Sequence, residues 1–420
     1  MLMIQKKYDV IVVGGGASGM AAAIGAAKTG ASCLLIERYG CLGGQATTAN
    51  VSSYCGFFTH GDKAQQIVKG VGQEVLEELH RLGQYDGYTL SPVGNAIVAL
   101  DQEAVKFALD EVLFRYPVDV LLHCRMVQAE ADRQTGKIQK VVCVDDQDRY
   151  EFTANAFVDA TGDANLAYLA GAKLRYGDGT GKGQASTRIL MLDRVSPDVR
   201  FKPAILEEVL TKAKRDGYKN LTKESGIVFR VNDDTVCAIL PSVWVPDLSA
   251  KTLTACERNT RRQAQEYLEV FHKYMPGMEK CRLISTGVQL GLRDTRHVLG
   301  EKTLTGEQVL HAVKPKDSVA RGGWPCEMHL DVNKIAKYIF VDNDDYYGIP
   351  LGCLKAKGWM NLWCAGRTIS ADPTAFASVR VMGCGFATGQ AAGVAAALSQ
   401  GENGAVETVQ RELVRQGALI

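Results

Sequence analysis

Close cysteine pairs are missing from this chain. Its twelve cysteines run from Cys33 to Cys384 and no two are spaced as C-x-x-C, so neither a zinc site nor an iron-sulfur cluster is expected, and no metal centre is indicated. Scattered thiols of this kind are read as reduced, buried, small apolar groups. An excess of charge is missing too. Lys and Arg number 48 against 47 Asp and Glu, which leaves neither a basic face for nucleic acid nor a solvating charged tail. No apolar run approaches the roughly 18 residues that cross a bilayer. The run behind Lys6 and Lys7 ends in Gly14 after about five residues, too short for the core of a secretory signal. A cytoplasmic protein with no nucleic-acid or membrane partner is expected. Internal repeats and low-complexity tracts are absent as well.

What is present divides the 420 residues into more than one module, since a single core stops growing well below that length. The apolar run 9–13, the glycines after it, a small-residue helical stretch over 18–28 and a second apolar run over 33–37 read as strand, turn, helix, strand, the layout of one βαβ unit. Helical spacing follows over 64–82 and 102–115. In the second of these Val105, Ala108, Leu109 and Val112 share a face, and Pro117 forbids continuation. From 118 to 160 the runs "VDVLLH", "KVVCVD" and "AFVDA" are β-rich. The segment 177–183, "GDGTGKG", follows no strand and is read as a flexible crossing between domains. The middle third combines strand-like "GIVFRV" and "VCAILP" with a helical pattern over 253–274 and a capping box at Thr305 and Gln308. After Pro350 the small-residue style of the start returns in "NLWCAGR" and "GFATGQAAGVAAAL". The expected architecture is α/β, one domain assembled from residues 1–185 and 350–420, with an α+β module inserted over 186–349.

Gly14, Gly16 and Gly19 satisfy G-x-G-x-x-G between a strand and a helix. The first permits the tight turn, the second lets backbone approach a pyrophosphate, and the third lets helix and strand pack closely, with the phosphates at the helix N-terminus. Ala17 and Ser18 lie between them at the helix start. Glu37 ends the next strand, placed to bind a ribose hydroxyl, with Arg38 beside it. An acid there makes NADP the poorest fit. NAD and the adenosine half of FAD are not separated by this motif.

Further segments carry a resemblance: "ERYGCLGGQATT" (37–48), "DATGDANLAYLAGA" (159–172), "LGLRDTRHVLGEKTLT" (290–305), "IPLGCLKAKGWMNLWCAGRTIS" (349–370) and "SVRVMGCGFATGQAAGVAAAL" (378–398). With these the chain resembles the FAD-dependent oxidoreductase family, whose flavoproteins share the glutathione-reductase type of Rossmann-like FAD domain. More distantly it is similar to the fumarate reductase and aspartate oxidase flavoproteins. The resemblance implies non-covalent FAD. Gly43, Gly44, Gln45 and Thr47 would follow the pyrophosphate, ribityl chain and flavin edge, and Met126 would meet the adenine. Thr161, Gly162 and Asp163 would close over the cofactor. Gly366 and Arg367 would reach the ribityl side, and Arg380, Val381 and Met382 would bring a helix start to the N1/O2 edge. A helix N-terminus and a cation there stabilise the negative charge of reduced flavin. Close helix packing accounts for the same glycines and alanines.

With hydride chemistry supplied by flavin N5, the protein has to position a substrate and move a proton. Arg293 and Arg296 are candidates for a substrate carboxylate or enolate-like oxygen, or for bracing pairs with Asp294 and Glu301. Relatives often carry a second arginine where this chain has His297. Glu327 and His329, two apart in "GGWPCEMH", fall on one side of an extended run and form a candidate acid/base pair. Tyr54, Thr59 and His60 are weaker candidates for lining the same pocket. No second G-x-G-x-x-G marks an NAD(P)H domain, and the cluster-binding cysteines of the heterodisulfide-reductase branch are absent. The expected activity is a dehydrogenase moving a hydride between a small organic substrate and FAD. The alternatives are a fumarate-reductase-like reductase of an activated C=C bond and a non-catalytic FAD electron-transfer subunit. A plain NAD dehydrogenase ranks below both. The expected partners are the substrate, an electron acceptor that the sequence does not name, and a second copy of the chain. Cys41 has no partner cysteine and is expected to be a bystander.

Overall fold

The run 9–13 forms the inner half of a long strand, Met3–Val13, in which Val10, Ile11 and Val12 are fully buried. An apolar run with no alternation belongs to a strand covered on both faces, and its neighbours in the sheet are parallel. The structure, a computed structural model, describes residues 3–399 and 405–420. Val118–Leu121, Cys33–Ile36, Met3–Val13 and Arg149–Asp159 lie side by side and parallel. Arg149–Asp159 continues antiparallel into Lys137–Val144 and Arg125–Asp132, the last a strand that the sequence pattern did not reveal. A short strand from the far end of the chain, Leu362–Cys364, pairs parallel with Phe157 to Asp159 and completes the seven-stranded sheet.

Two helices lie against each other over this sheet, Ala17–Ala27 and Met382–Leu398. A Cβ at Gly389 would stand 2.1 Å from Ser18 O and one at Gly393 would stand 1.9 Å from Ala22 O, so the small-residue pattern at both chain ends is the condition for these backbones to touch. Residues 186–285 contain a four-stranded antiparallel sheet in the order Ile227–Arg230, Val236–Val243, Ser186–Asp193, Arg282–Ser285. Helices Pro203–Arg215 and Ala250–Tyr274 cover it, and Leu190, Leu206, Leu210, Leu240, Tyr267 and Phe271 form its own apolar cluster. From Val298 to Ile349 the buried residues rejoin the larger cluster around the parallel sheet.

The helix expected over 64–82 begins only at Val71. Gly70 has φ 61°, and Ile67 and Val68 donate their N–H groups to Phe57 O, so this backbone is committed to the strand Ser53–His60. The segment 177–183 is an ordered turn rather than a loose crossing. Asp178 N donates to Lys182 O at 3.0 Å, and the Asp178 carboxylate accepts from the N and Oγ1 of Thr180. The capping box at Thr305 and Gln308 is formed, but the helix behind it spans only Gly306–Leu310.

Candidate active site

The three motif glycines are glycine for different reasons. A Cβ at Gly19 would lie 1.6 Å from Gly14 O, and Gly14 has φ +103° with Ala160 O 2.5 Å from its would-be Cβ; both are dictated by the fold. Gly16 is extended, with φ −70° and ψ −178°, a conformation open to any residue, and a Cβ there would find nothing nearer than Gly44 Cα at 3.7 Å. Protein sterics do not require glycine at 16, so its identity points to something outside the chain that comes close. Gly43 and Gly44 stand opposite, both at positive φ, held by a bridge between Gly16 and Gly43.

Between them runs a trough. It is lined by Gly14, Gly16, Ala17, Ser18, Gly43, Gly44 and Gln45, by Thr161, Gly162, Asp163, Gly366 and Arg367, and by Arg380, Val381 and Met382. Thr47 lies just outside the lining, its hydroxyl donating to Leu42 O at 2.6 Å. Both long helices, Ala17–Ala27 and Met382–Leu398, start in this trough and direct their unpaired N–H groups and positive dipole ends into it. Arg380 Nε is buried without any hydrogen-bond partner. An elongated, phosphate-bearing, electron-rich ligand satisfies all of these donors.

The trough continues into a cavity of about 950 Å³, which shares Gly14, Glu37, Arg38, Thr161, Asp163 and Gln289 with it. Met126, Asp247, Ser249 and Leu253 line this cavity as well. Glu37 is buried, its carboxylate accepting from Gly15 N at 2.6 Å and Tyr39 N at 2.8 Å. Gln289 ties segments distant in sequence together: Oε1 accepts from Arg38 Nη2 at 3.3 Å and from the Tyr39 hydroxyl, while Nε2 donates to Thr48 Oγ1 at 2.9 Å. Nothing in the sequence singled this residue out.

Arg296 faces this cavity. Its Nε donates to Asp163 O at 2.8 Å, Nη2 reaches Asn165, and the guanidinium lies 4.3 Å from the Tyr168 ring centre. The bracing pairs considered for it with Asp294 and Glu301 are not formed. His297 is a buried brace, hydrogen-bonded to Asp294 at 2.7 Å and to Arg367 O at 3.1 Å. Asp163 accepts from Thr295 Oγ1 at 2.8 Å and pairs with Arg367 at 3.7 Å.

Glu327 and His329 do meet. His329 Nε2 stands 2.9 Å from Glu327 Oε1. Glu327 Oε2 accepts from Trp324 Nε1 at 3.0 Å and pairs with Arg380 Nη2 at 3.4 Å, and the same Nη2 donates to Glu327 O at 3.1 Å. Arg380 thus joins the pair to the trough. Tyr338 is the cross-strand neighbour of Glu327, and Cys55 is within electrostatic reach of Glu327 and Arg380; neither was expected here. Burial disfavours the charged Glu327 carboxylate, but Arg380, the His329 hydrogen bond and Arg293 outweigh it and hold the group well below the usual carboxylate range. Burial and the Arg293 charge push His329 down to about 3 despite its acid partner. The imidazole is neutral at pH 7. An ionised carboxylate only accepts, so the network assigns the proton to Nε2 and leaves a lone pair on Nδ1, which has no hydrogen-bond partner among the described residues.

The three weaker candidates make the following contacts, with the Tyr54 hydroxyl buried and unpartnered among the described residues. The Tyr54 ring packs on Phe57 and Phe386, Thr59 Oγ1 accepts from Gln65 N at 3.0 Å, and His60 bonds to Asp344 and Val93 O. Cys41 is half-buried with its Sγ 3.7 Å from Thr47 Oγ1.

Comparison with known proteins follows this geometry. Residues 9–417 match a family described as FAD dependent oxidoreductase. A search of the curated proteins finds no match. Among solved structures, a geranylgeranyl bacteriochlorophyll reductase-like protein from Thermoplasma acidophilum is 15% identical with a TM-score of 0.46, covering 99% of this chain and 85% of its own. A p-nitrophenol 4-monooxygenase from Pseudomonas putida is 11% identical with a TM-score of 0.47 over 99% and 85%. An anhydrotetracycline hydroxylase from Streptomyces rimosus is 10% identical with a TM-score of 0.47 over 98% and 66%.

Proposed function

This chain belongs to the FAD dependent oxidoreductase family, and on that premise we propose that it is a dehydrogenase of a small organic substrate in which His329 is the proton acceptor. The residues present fit FAD. The open face of Gly16, the two helix starts and the unpartnered Arg380 Nε supply the close approach and the donors that a dinucleotide with an electron-rich ring requires. Gly14, Gly16, Gly43 and Gly44 would hold the pyrophosphate, Glu37 and Met126 the adenosine, and Arg380, Val381 and Met382 the ring edge. Bound FAD supplies the two-electron chemistry.

The observation that carries the reading is the His329 Nδ1 lone pair, set by the 2.9 Å contact of Nε2 with Glu327. Nδ1 accepts the substrate proton, and the Glu327 carboxylate then stabilises the imidazolium. Arg380 pairs with Glu327 and lines the trough at the same time, which supports a proton transfer close to the bound ring. The glutathione-reductase type of FAD domain, built from residues 1–185 and 350–420 around an inserted substrate module, is part of this proposal. It is supported by the seam between Leu362–Cys364 and Arg149–Asp159 and by the second apolar cluster. A second reading, reduction of an activated C=C bond, is favoured by Arg293, a cation held by Ala185 O and Thr187 Oγ1 within electrostatic reach of Glu327.

Anaerobic mixing with panels of alcohols, amines and enoates separates the two. Bleaching of the oxidised holoprotein by an alcohol or amine, lost in His329→Asn with FAD retained, is the expected result. Reoxidation of the reduced holoprotein by an enoate, with no bleaching by any alcohol or amine, assigns the reductase instead.

A further inference from the structure

Arg293 is tied to the backbone that carries His329. Its Nη1 donates to Ala185 O and to Thr187 Oγ1 at 3.0 Å. Ala185 N in turn donates to His329 O at 3.0 Å, and His329 N donates to Gln184 Oε1 at 3.1 Å. The acids within its electrostatic reach are Glu327 and Asp294, and both are engaged. Glu327 is held by Arg380, His329 and Trp324; Asp294 is held by His297 at 2.7 Å and Gln184 N at 3.1 Å. Arg188, Arg367 and Arg380 are each paired with a carboxylate. Arg293 makes no ion pair among the described residues.

Lys223 repeats the pattern. It is 5% exposed, its Nζ donates to Lys334 O, and among the described residues it too makes no ion pair. The acid that acts on it, Asp331, accepts from Asn333 N at 2.8 Å. Burial and the Arg293 charge push Lys223 down to about 8. Two positive charges thus lie around the segment carrying the acid/base pair, within electrostatic reach of Glu327 and Asp331 but without an ion pair among the described residues. A partly buried cation held without an ion pair is free to take the counter-charge of a ligand.

The free atoms of Arg293 show which ligand fits. Nη1 is occupied, while Nε and Nη2 form no hydrogen bond and are not sealed from solvent. These two nitrogens present parallel N–H groups along one edge of the guanidinium, the edge that takes both oxygens of a carboxylate.

Resting on the reading of Glu327 and His329 as the catalytic pair, we propose that the substrate bears a carboxylate bound by Arg293, with Lys223 as the positioning residue that supplies a second positive charge.

The test uses FAD-loaded protein and anions that are only ligands. Acetate and oxalate are titrated against the flavin absorption spectrum and by calorimetry, with acetamide and inorganic phosphate as comparisons. Saturable binding of acetate or oxalate is expected, with no response to acetamide. Arg293→Gln weakens it at least tenfold, Arg293→Lys weakens it less, Lys223→Met weakens it several-fold, and Lys223→Arg restores it, all at unchanged FAD content. If Arg293→Gln does not fold, Arg293→Lys and the Lys223 pair carry the test. Absence of binding, binding of phosphate but neither carboxylate, equal binding by acetamide, or carboxylate binding indifferent to both residues overturns the proposal. His329→Asn keeps this apart from the proposed activity, because loss of turnover with oxalate binding intact leaves the anion site standing.

Discussion

Nε2 of His329 and Oε1 of Glu327 meet at 2.9 Å in a buried network where Arg380 and Arg293 keep the acid charged against its burial, and burial with the same arginines keeps the base neutral. This inverts the ordinary behaviour of a surface histidine. Because His329 is pushed down to about 3, kcat/KM for substrate oxidation is expected to lack an ascending limb near the usual histidine value of about 6.5. Rates measured from about pH 5 to 9 check this; a limb near 6.5 that disappears in His329→Asn contradicts it.

The same depression has a sign for stability. Between about 6.5 and 3 the unfolded chain takes up the His329 proton before the folded one does, so stability is lost as pH falls through that window. Glu327, held below its ordinary value, acts in the same direction at lower pH. Thermal midpoints of wild type and His329→Asn are expected to converge as the pH is lowered from 7 toward 4.

Glu327→Gln removes the charge that orients the imidazole and strands Arg380. A loss of about 10²–10⁴ in the rate of flavin reduction is expected, together with destabilisation of about 3–5 kcal/mol from the unpaired buried guanidinium. Stopped-flow absorbance and chemical denaturation measure the two separately.

Gly16→Ala and Gly19→Ala should fail differently. Alanine at 19 would place its Cβ 1.6 Å from Gly14 O, so the protein is expected not to fold. Alanine at 16 has 3.7 Å of clearance within the protein, so the apoprotein keeps its melting temperature and loses FAD. Flavin absorbance per mole of protein, beside the melting curve, separates these outcomes.

Gln289→Ala releases Arg38, Tyr39 and Thr48 together. Three lost hydrogen bonds of about 1 kcal/mol each set an upper bound of roughly a hundredfold on the weakening of FAD binding, read from the fluorescence of released flavin.

Cys41→Ser is expected to keep its FAD, and acid precipitation of the wild type is expected to leave a colourless pellet, since the Cys41 thiol is engaged with Thr47 Oγ1. Yellow colour in the pellet that is lost with the serine would make Cys41 a covalent anchor.

Local patterns determined much of this protein. The turn at Gly14, the helix behind it, the acid at Glu37 and the small residues of the last long helix depend on neighbours a few positions away, and chain spacing encodes such relations directly. Glu327 and His329 were legible as a pair for the same reason: two residues apart on an extended run, they share a side. Arg293 and Arg296, three apart, do not, and the structure sends one to the acid/base pair and the other to the nucleotide cavity. The long-range relations came from tertiary structure alone. Leu362–Cys364 joins Arg149–Asp159, Arg380 meets Glu327, and Gln289 bridges Arg38 and Thr48. Each brings together segments with no shared periodicity, and burial together with the arginines gathered there sets the charges of Glu327 and His329 and leaves Arg293 without an ion pair among the described residues.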